Sequence, residues 1–494
     1  MPDGVELTSR FESLKVYDDP LEQGSDADFL KSCSGTLSEY IQSVLTSIPN
    51  CDESTVTLPS LPPERYRVIP KQEFTQGDVS ECNFRYSPED SPVKAKICEA
   101  KRLSLKDSLK PVWHFEVEPN SSVHYSPGDA FGFFIENDSH LVSWLLHRFN
   151  VTDNLYVADT KSAPPKSFEV SSALRKQFDL FSPPKKSLLR LLGEFCVDER
   201  ERRILLLLSS DVGRDTYRSL FIRERVSLLD LLVAFPSCEP PLEKVLDGLP
   251  FLMPRYYSAS SCYESKENTI DFVFSLAQYN IIAGKRWTRK GHATGTLDRI
   301  CTQWDKRSLD DVQLTIFHRP SNHFRPPENL DVPYLMVCAG TGLAPFRGFI
   351  QQRRRKYTSI LKTATGDYSM GQVYLFFGCR QVGEFQWYLD EIENDMSMLP
   401  NAELFVCYSR STDDAMYVQD LLKKHAEQVN RLICSHPSSR IYVCGDGANM
   451  AKGVQESLSD ILSEYHCSNK EDAKKFLKKL SDEKRYVQDI WFWG

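Results

Sequence analysis

Cys338-Ala339-Gly340-Thr341-Gly342-Leu343-Ala344-Pro345-Phe346 follows an apolar run and precedes a helical pattern. Two glycines in such a turn let backbone approach a pyrophosphate closely, and Pro345 opens a helix whose first amides attract anions. A tight strand-to-helix turn with no ligand would read the same way, and the motif alone does not separate the two. Further on, Tyr408-Ser409-Arg410 closes an apolar run, and Tyr417 and Gln419 stand at a helix start. At the carboxyl edge of a sheet, a hydroxyl and a guanidinium can hold the adenosine 2′-phosphate that distinguishes NADPH from NADH. A solvated Ser-Arg turn carries the same residues. Arg255-Tyr256-Tyr257-Ser258 alternates as a strand, which puts Arg255 and Tyr257 on one face. There an arginine can clamp a flavin pyrophosphate while a tyrosine stacks on the ring. Lys290-Gly291-His292-Ala293-Thr294-Gly295 offers small residues and amides ahead of a helix, a second phosphate cradle. Both segments also suit a buried strand and a helix cap.

The last ten residues hold Trp491 and Trp493. Termini usually fray, so an aromatic cluster here implies a docked tail. It either staples the last helix or covers a flavin face, a stack of roughly 0.5–1.5 kcal/mol that a nicotinamide can displace. Cys444 follows Ile441-Tyr442-Val443 and by itself reads as a buried, inert thiol. Asp489 by itself reads as a surface acid beside the tail.

These residues need two kinds of scaffold. From about Lys94 to Asn137 the pattern is strand-like, with Trp113, Phe115 and Val117 alternating before a turn at Ser126–Asp129. Strand character returns at Tyr256–Ser260, Ile270–Gln278 and Val312–His318, which predicts an antiparallel β-barrel over 76–330. Between them, about 140–250, the period is helical, as in Leu228, Leu229, Leu231, Leu232 and Phe235, and predicts an inserted helical lobe. Over 331–494, short apolar runs at Tyr334–Ala339, Gln372–Phe377, Glu403–Tyr408 and Arg440–Cys444 alternate with helices, the mark of an α/β doubly wound parallel sheet. Residues 1–75 combine acids, Ser/Thr clusters and a Pro-rich spacer, and read as a flexible arm with one short amphipathic helix at Leu37–Leu45.

The formal charge of −8 is concentrated in that arm, where residues 1–60 hold eleven acids against three Lys/Arg. A near-neutral remainder gives no basic footprint for nucleic acid. The longest aliphatic run, Ile204–Leu208, is too short for a membrane span, and with no basic, apolar leader the expectation is cytoplasmic. Fourteen cysteines without a C-x-x-C pair leave neither a zinc ribbon nor a local dithiol motif, so free thiols and no metal site are expected.

Taken in order, the segments resemble the FAD and NADP(H) half of the diflavin reductases over roughly 58–491. Leu228–Pro241, Leu375–Arg380, Tyr442–Lys452 and Lys484–Trp491 are similar to the branch that reactivates methionine synthase. The resemblance implies that Arg255 and Gly291, His292, Ala293 and Thr294 bind the FAD pyrophosphate, that Tyr257 stacks on the isoalloxazine and that Ser258 bonds near flavin N5. It implies that Cys444 and Asp489 position nicotinamide and balance charge during hydride transfer, with Trp491 shielding the flavin. Gly340, Thr341, Ser409, Arg410, Tyr417 and Gln419 would bind NADPH. The sequence departs from the pattern in four places. Cys338 replaces the first glycine of G-x-G-T-G, and Ala415 replaces a lysine that some relatives use. The tail runs past Trp491, so Trp493 competes as the shielding ring. Residues 1–75 are also too short for an FMN domain and lack its S-x-T-G-T loop. One flavin and a separate acceptor are therefore expected: methionine synthase, a cobalamin-processing protein or a flavodoxin-like FMN carrier. The alternatives are a generic NADPH-quinone or flavodoxin reductase, and a non-catalytic scaffold for a cobalamin protein.

Overall fold

A computed structural model of the chain describes residues 56–70, 82–87, 89–108, 110–151, 155–162, 166–265, 268–280, 288–305, 312–363, 369–411 and 414–491. The acid-rich stretch through residue 55, with its Leu37–Leu45 pattern, and Trp493 lie outside the described residues. The chain forms two compact units. One comprises Met1–Ser87, Ile135–Pro254 and Gln278–His292, the other Pro88–Phe134, Arg255–Ala277 and Ala293–Gly494.

The first unit is mainly helical. Helices Lys186–Glu194, Glu199–Ser209, Leu228–Ala234 and Leu242–Gly248 pool their leucines into one apolar core. Ser227 and Asp230 form a capping box at the start of Leu228–Ala234. Asp230 is fully buried and is neutralised by Arg289 of the same unit.

Two sequence expectations change here. Tyr66–Pro70, assigned to the flexible arm, is a strand, and the helical lobe contains two more, Leu155–Asp159 and Lys166–Glu169. Tyr66–Pro70 pairs antiparallel with Leu155–Asp159, which pairs in turn with Lys166–Glu169. Neighbouring prolines mask the pattern of Tyr66–Pro70, yet Pro70 costs no ladder bond at the end of an edge strand. Distant residues fix the strand. Asp247 accepts from the amides of Arg65 and Tyr66, Arg65 pairs with Asp159 at 2.7 Å, and the Tyr66 ring meets Phe178 edge-on at 5.2 Å.

The second unit holds two sheets. Six antiparallel strands lie in the order Arg255–Ser258, Ala130–Phe134, Gln313–Arg319, Val93–Arg102, Val112–Pro119 and Ile270–Ser275. The outer strands return to each other at a single bridge, Ala259 to Phe272, beside a bond from Ser260 N to Asp271 O. Phe115, Phe131, Phe133, Phe272 and Phe274 fill the sheet's interior.

The other sheet has five strands, all parallel, in the order Ala402–Tyr408, Val373–Cys379, Tyr334–Ala339, Arg440–Asp446 and Tyr486–Trp491. Alternate residues of the central strand enter different cores. Tyr334, Met336 and Cys338 pack with helices Ala344–Thr363 and Gln386–Ser397, whereas Leu335 and Val337 pack with Val418–Lys424, Ala426–Cys434 and Met450–Tyr465. Both faces are covered, which is why these strands read as unbroken apolar runs. The tail is the fifth strand rather than a staple on the last helix, and among the described residues no helix is long and apolar enough to cross a membrane.

One buried cation joins the two sheets. Arg347, on helix Ala344–Thr363, donates to Asp271 Oδ2 at 2.7 Å and to Ser260 O at 2.8 Å. Its other nitrogens reach Glu391 at 3.1 and 2.8 Å. Tyr388 adds hydroxyl contacts to Ser260 Oγ at 3.0 Å and His114 Nδ1 at 2.8 Å. Arg347 and Asp271 are 4% and 0% exposed, so removing one strands a buried charge. Arg347→Met is expected to lower unfolding stability by about 3–5 kcal/mol. Pairing it with Asp271→Leu should restore much of that loss, as read by urea denaturation.

Candidate functional site

The carboxyl ends of the parallel strands open into a cleft of about 530 Å³, where open α/β sheets bind ligands. Gly340, Thr341, Ser409, Tyr417, Gln419 and Trp491 line it. Arg410 is not among its lining residues. Its amide donates to Arg380 O at 2.8 Å and its exposed side chain lies close enough to weaken the charge on Arg380.

The two glycines of the turn have different tasks. Gly340 has φ +56°, and a Cβ there would meet nothing within 4 Å, so this backbone edge faces open space. A Cβ on Gly342 would fall 2.2 Å from Cys444 O, so Gly342 lets the turn pack on the neighbouring strand. Of the two, only Gly340 leaves room for a group to approach its backbone. Cys338, in place of the first glycine, is fully buried in register with Cys444, and burial raises both thiols well above the ordinary cysteine range.

Two cations in the cleft were not among the residues assigned to the site from the sequence. Lys110 lies in a loop before the strand Val112–Pro119, and Arg380 follows the strand Val373–Cys379. Burial and then Arg380 pull the Lys110 ammonium below its usual range, and burial and then Arg410 do the same to Arg380. Repelling cations at half-buried positions gain when an anion arrives. With the open Gly340 edge they fit the phosphates of a dinucleotide.

Ser258, Asp489 and Cys444 form a second cluster in the same unit. Ser258 Oγ donates to Asp489 Oδ2 at 3.1 Å, joining the end of the six-stranded sheet to the fifth parallel strand. Asp489 is the register partner of Cys444, and Asp446 that of Trp491. Burial raises the Asp489 carboxyl above its ordinary value, and the Ser258 hydrogen bond offsets part of that rise. Cys444 is 0% exposed and Trp491 is half-buried.

Tyr257 is half-buried and held by edge-on contacts to Phe133 at 5.2 Å and Phe274 at 6.4 Å. Burial raises its phenol, and Arg255, two residues along the same strand, opposes that. A rigid aromatic beside an arginine fits a flavin ring and its phosphates. Ala293 and Thr294 begin the helix His292–Asp305 in this unit, and Thr294 Oγ1 accepts from Ala277 N at 3.1 Å. Gly291 and His292 belong to the first unit, where His292 stacks on Phe181 at 5.1 Å and lies 3.1 Å from Ile135 O.

Comparison with known proteins agrees with this chemistry. The FAD binding domain family matches residues 87–295 and the oxidoreductase NAD-binding domain family matches 336–456. The chain is 32% identical to methionine synthase reductase of Homo sapiens, across 92% of this chain and 68% of that protein. It is 31% identical to methionine synthase reductase of Rattus norvegicus, across 99% and 73%. NADPH–cytochrome P450 reductase of Dictyostelium discoideum matches at 31%, across 81% and 58%. Fold, cleft and both domain matches define an NADPH-dependent flavoprotein oxidoreductase whose cofactors are FAD and NADPH. The chain belongs to the diflavin reductase family, among relatives named methionine synthase reductase.

Two substitutions separate these roles. Gly342→Ala should destabilise the fold more than Gly340→Ala, whose backbone strain is about 1–3 kcal/mol, while Gly340→Ala should weaken NADPH binding out of proportion to its stability loss. Arg380→Met removes a charged hydrogen-bond donor worth about 1.5–3 kcal/mol, so a titration should show NADP(H) binding roughly ten- to a hundredfold weaker.

Proposed function

We propose that this protein passes reducing equivalents from NADPH through FAD to a protein acceptor in cobalamin-dependent methionine metabolism. The acceptor is methionine synthase or a cobalamin-processing protein, reached directly or through a separate flavodoxin-like FMN carrier, in the cytoplasm. The names of the relatives support the acceptor class. The observation that carries the redox reading is the Ser258–Asp489 bond at 3.1 Å, which ties the flavin-type strand to the edge of the dinucleotide sheet.

Bound FAD supplies a hydride acceptor that can release electrons one at a time. The chain's own residues supply position and charge. Arg255 and the Ala293–Thr294 helix opening take the FAD pyrophosphate, and Tyr257 stacks on the ring. Gly340 and Thr341 take the pyrophosphate of NADPH, while Ser409, Arg410, Tyr417 and Gln419 take its adenosine end, aided by Lys110 and Arg380. Trp491, in the wall of the cleft, would shield a bound flavin and would have to move aside for nicotinamide. Ser258 orients Asp489, whose negative charge balances the positive charge a nicotinamide gains on losing hydride, with Cys444 behind it. We read the six-stranded sheet as a barrel closed at Ala259–Phe272, and the chain as an arm that ends before the strand Tyr66–Pro70, a flavin domain to 330 and a dinucleotide domain beyond.

Stopped-flow mixing of the FAD-loaded chain with NADPH should bleach the flavin. Added cobalamin-loaded methionine synthase should reoxidise it and become reduced. Absence of bleaching would sink the redox reading, whereas turnover with menadione and none with any protein acceptor would sink the partner.

The pH dependence follows from Asp489. Its carboxyl is raised by burial, so acid removes its charge at a higher pH than for an ordinary aspartate. The flavin reduction rate should fall as pH drops through that raised value. Ser258→Ala, which removes the bond that lowers it, should move the fall to higher pH. Asp489→Asn should be slower by roughly 10²-fold and show no such fall.

A further inference from the structure

The fold makes a cysteine pair that sequence spacing does not reveal. The backbone following helix Lys186–Glu194 meets the backbone following helix Leu228–Ala234 in one antiparallel bridge, Cys196 opposite Cys238. Val197 N donates to Ser237 O at 3.2 Å, and Glu239 N donates to Phe195 O at 3.1 Å. These bonds flank the pair instead of joining it, so the two cysteines occupy the non-hydrogen-bonded position, where Cα atoms approach to about 4.5 Å. A disulfide requires about 4.4–6.8 Å. Both thiols also converge on one acceptor, Leu192 O, which lies 3.4 Å from Cys196 Sγ and 3.3 Å from Cys238 Sγ. Each thiol is close enough to the other to bias its ionisation. Cys238 is 1% exposed and Cys196 is half-buried, so reagents enter through Cys196.

We propose that Cys196 and Cys238 are an oxidisable dithiol site that exchanges with small disulfides of the glutathione type and closes to an intramolecular disulfide. Cys196, as thiolate, attacks one sulfur of the reagent. The reagent's S–S bond breaks and its other half leaves as a thiol. Cys238 then releases its proton and attacks Cys196 Sγ, the mixed disulfide breaks, and the second half leaves as a thiol. Two protein thiols are oxidised and one small disulfide is reduced to two thiols.

The surroundings set this order. The neighbouring Cys238 lowers the Cys196 thiol, while Cys196 and burial hold Cys238 protonated. Glu201 and Asp198 oppose ionisation of Cys196. Arg148, which donates to the Cys238 and Pro236 carbonyls at 2.7 and 3.0 Å, favours the later ionisation of Cys238.

The test is incubation of the full chain, FAD bound, with glutathione disulfide, then alkylation under denaturing conditions and peptide mapping by mass spectrometry. The expected result is a Cys196–Cys238 linked peptide pair that reductant abolishes, while exposed Cys434 reports reagent access through its glutathione adduct. Cys238→Ala should trap a lasting adduct on Cys196, and Cys196→Ala should leave Cys238 unmodified. A wild-type adduct that persists on Cys196 with Cys238 still alkylatable overturns the proposal. So does a pair left untouched while Cys434 reacts. Because the wild-type chain reports the linkage directly, the test does not depend on either variant folding.

Discussion

The second unit depends on a guanidinium that is out of water. Arg347 binds Asp271 and the Ser260 carbonyl of the antiparallel sheet while rooted in the first long helix of the parallel one. Burying such a pair gains little stability over an apolar replacement of the same volume. What it provides is one permitted arrangement, because any other leaves charge unsatisfied. Ser258 stands two residues before Ser260, and Asp489 faces it from the edge of the other sheet. The spacing between Ser258 and Asp489 is thus anchored by an ion pair that touches neither residue.

The binding edge follows from the parallel sheet. All five strands end on one side, so short segments after separate strands converge without a long active-site loop. Gly340, Arg380, Ser409 and Trp491 each follow or close a different strand. The chain need only be apolar within each strand and particular in the residues just beyond it.

That division explains what could be read in advance. Four of the five parallel strands were legible within a residue or two, since burial on both faces leaves uninterrupted apolar runs such as Tyr334–Ala339 and Val373–Cys379. The glycine turn, Ser409 and Tyr417 line the cleft, but their local motifs also suit bare turns, and only the resemblance implied a part for them in binding. Tyr66–Pro70 was not, because its pairing with Leu155–Asp159 and the Asp247 carboxylate lies far away in sequence. Lys110 and Arg380 were missed for the same reason, since a lone cation acquires meaning only from the walls around it. The tail had the right residues but the wrong geometry, because joining a parallel edge needs a crossover that aromatic clustering does not announce.

The cysteines inside the parallel sheet have a consequence for a protein that handles electrons in air. Cys338 and Cys444 are sealed on adjacent strands, and burial pushes Cys379 and Cys407, on the next two, up to about 12. Thiols held neutral are poor nucleophiles toward peroxide. Should dioxygen intercept electrons from a bound flavin, these four sulfurs would resist oxidation, and damage would begin elsewhere on the molecule.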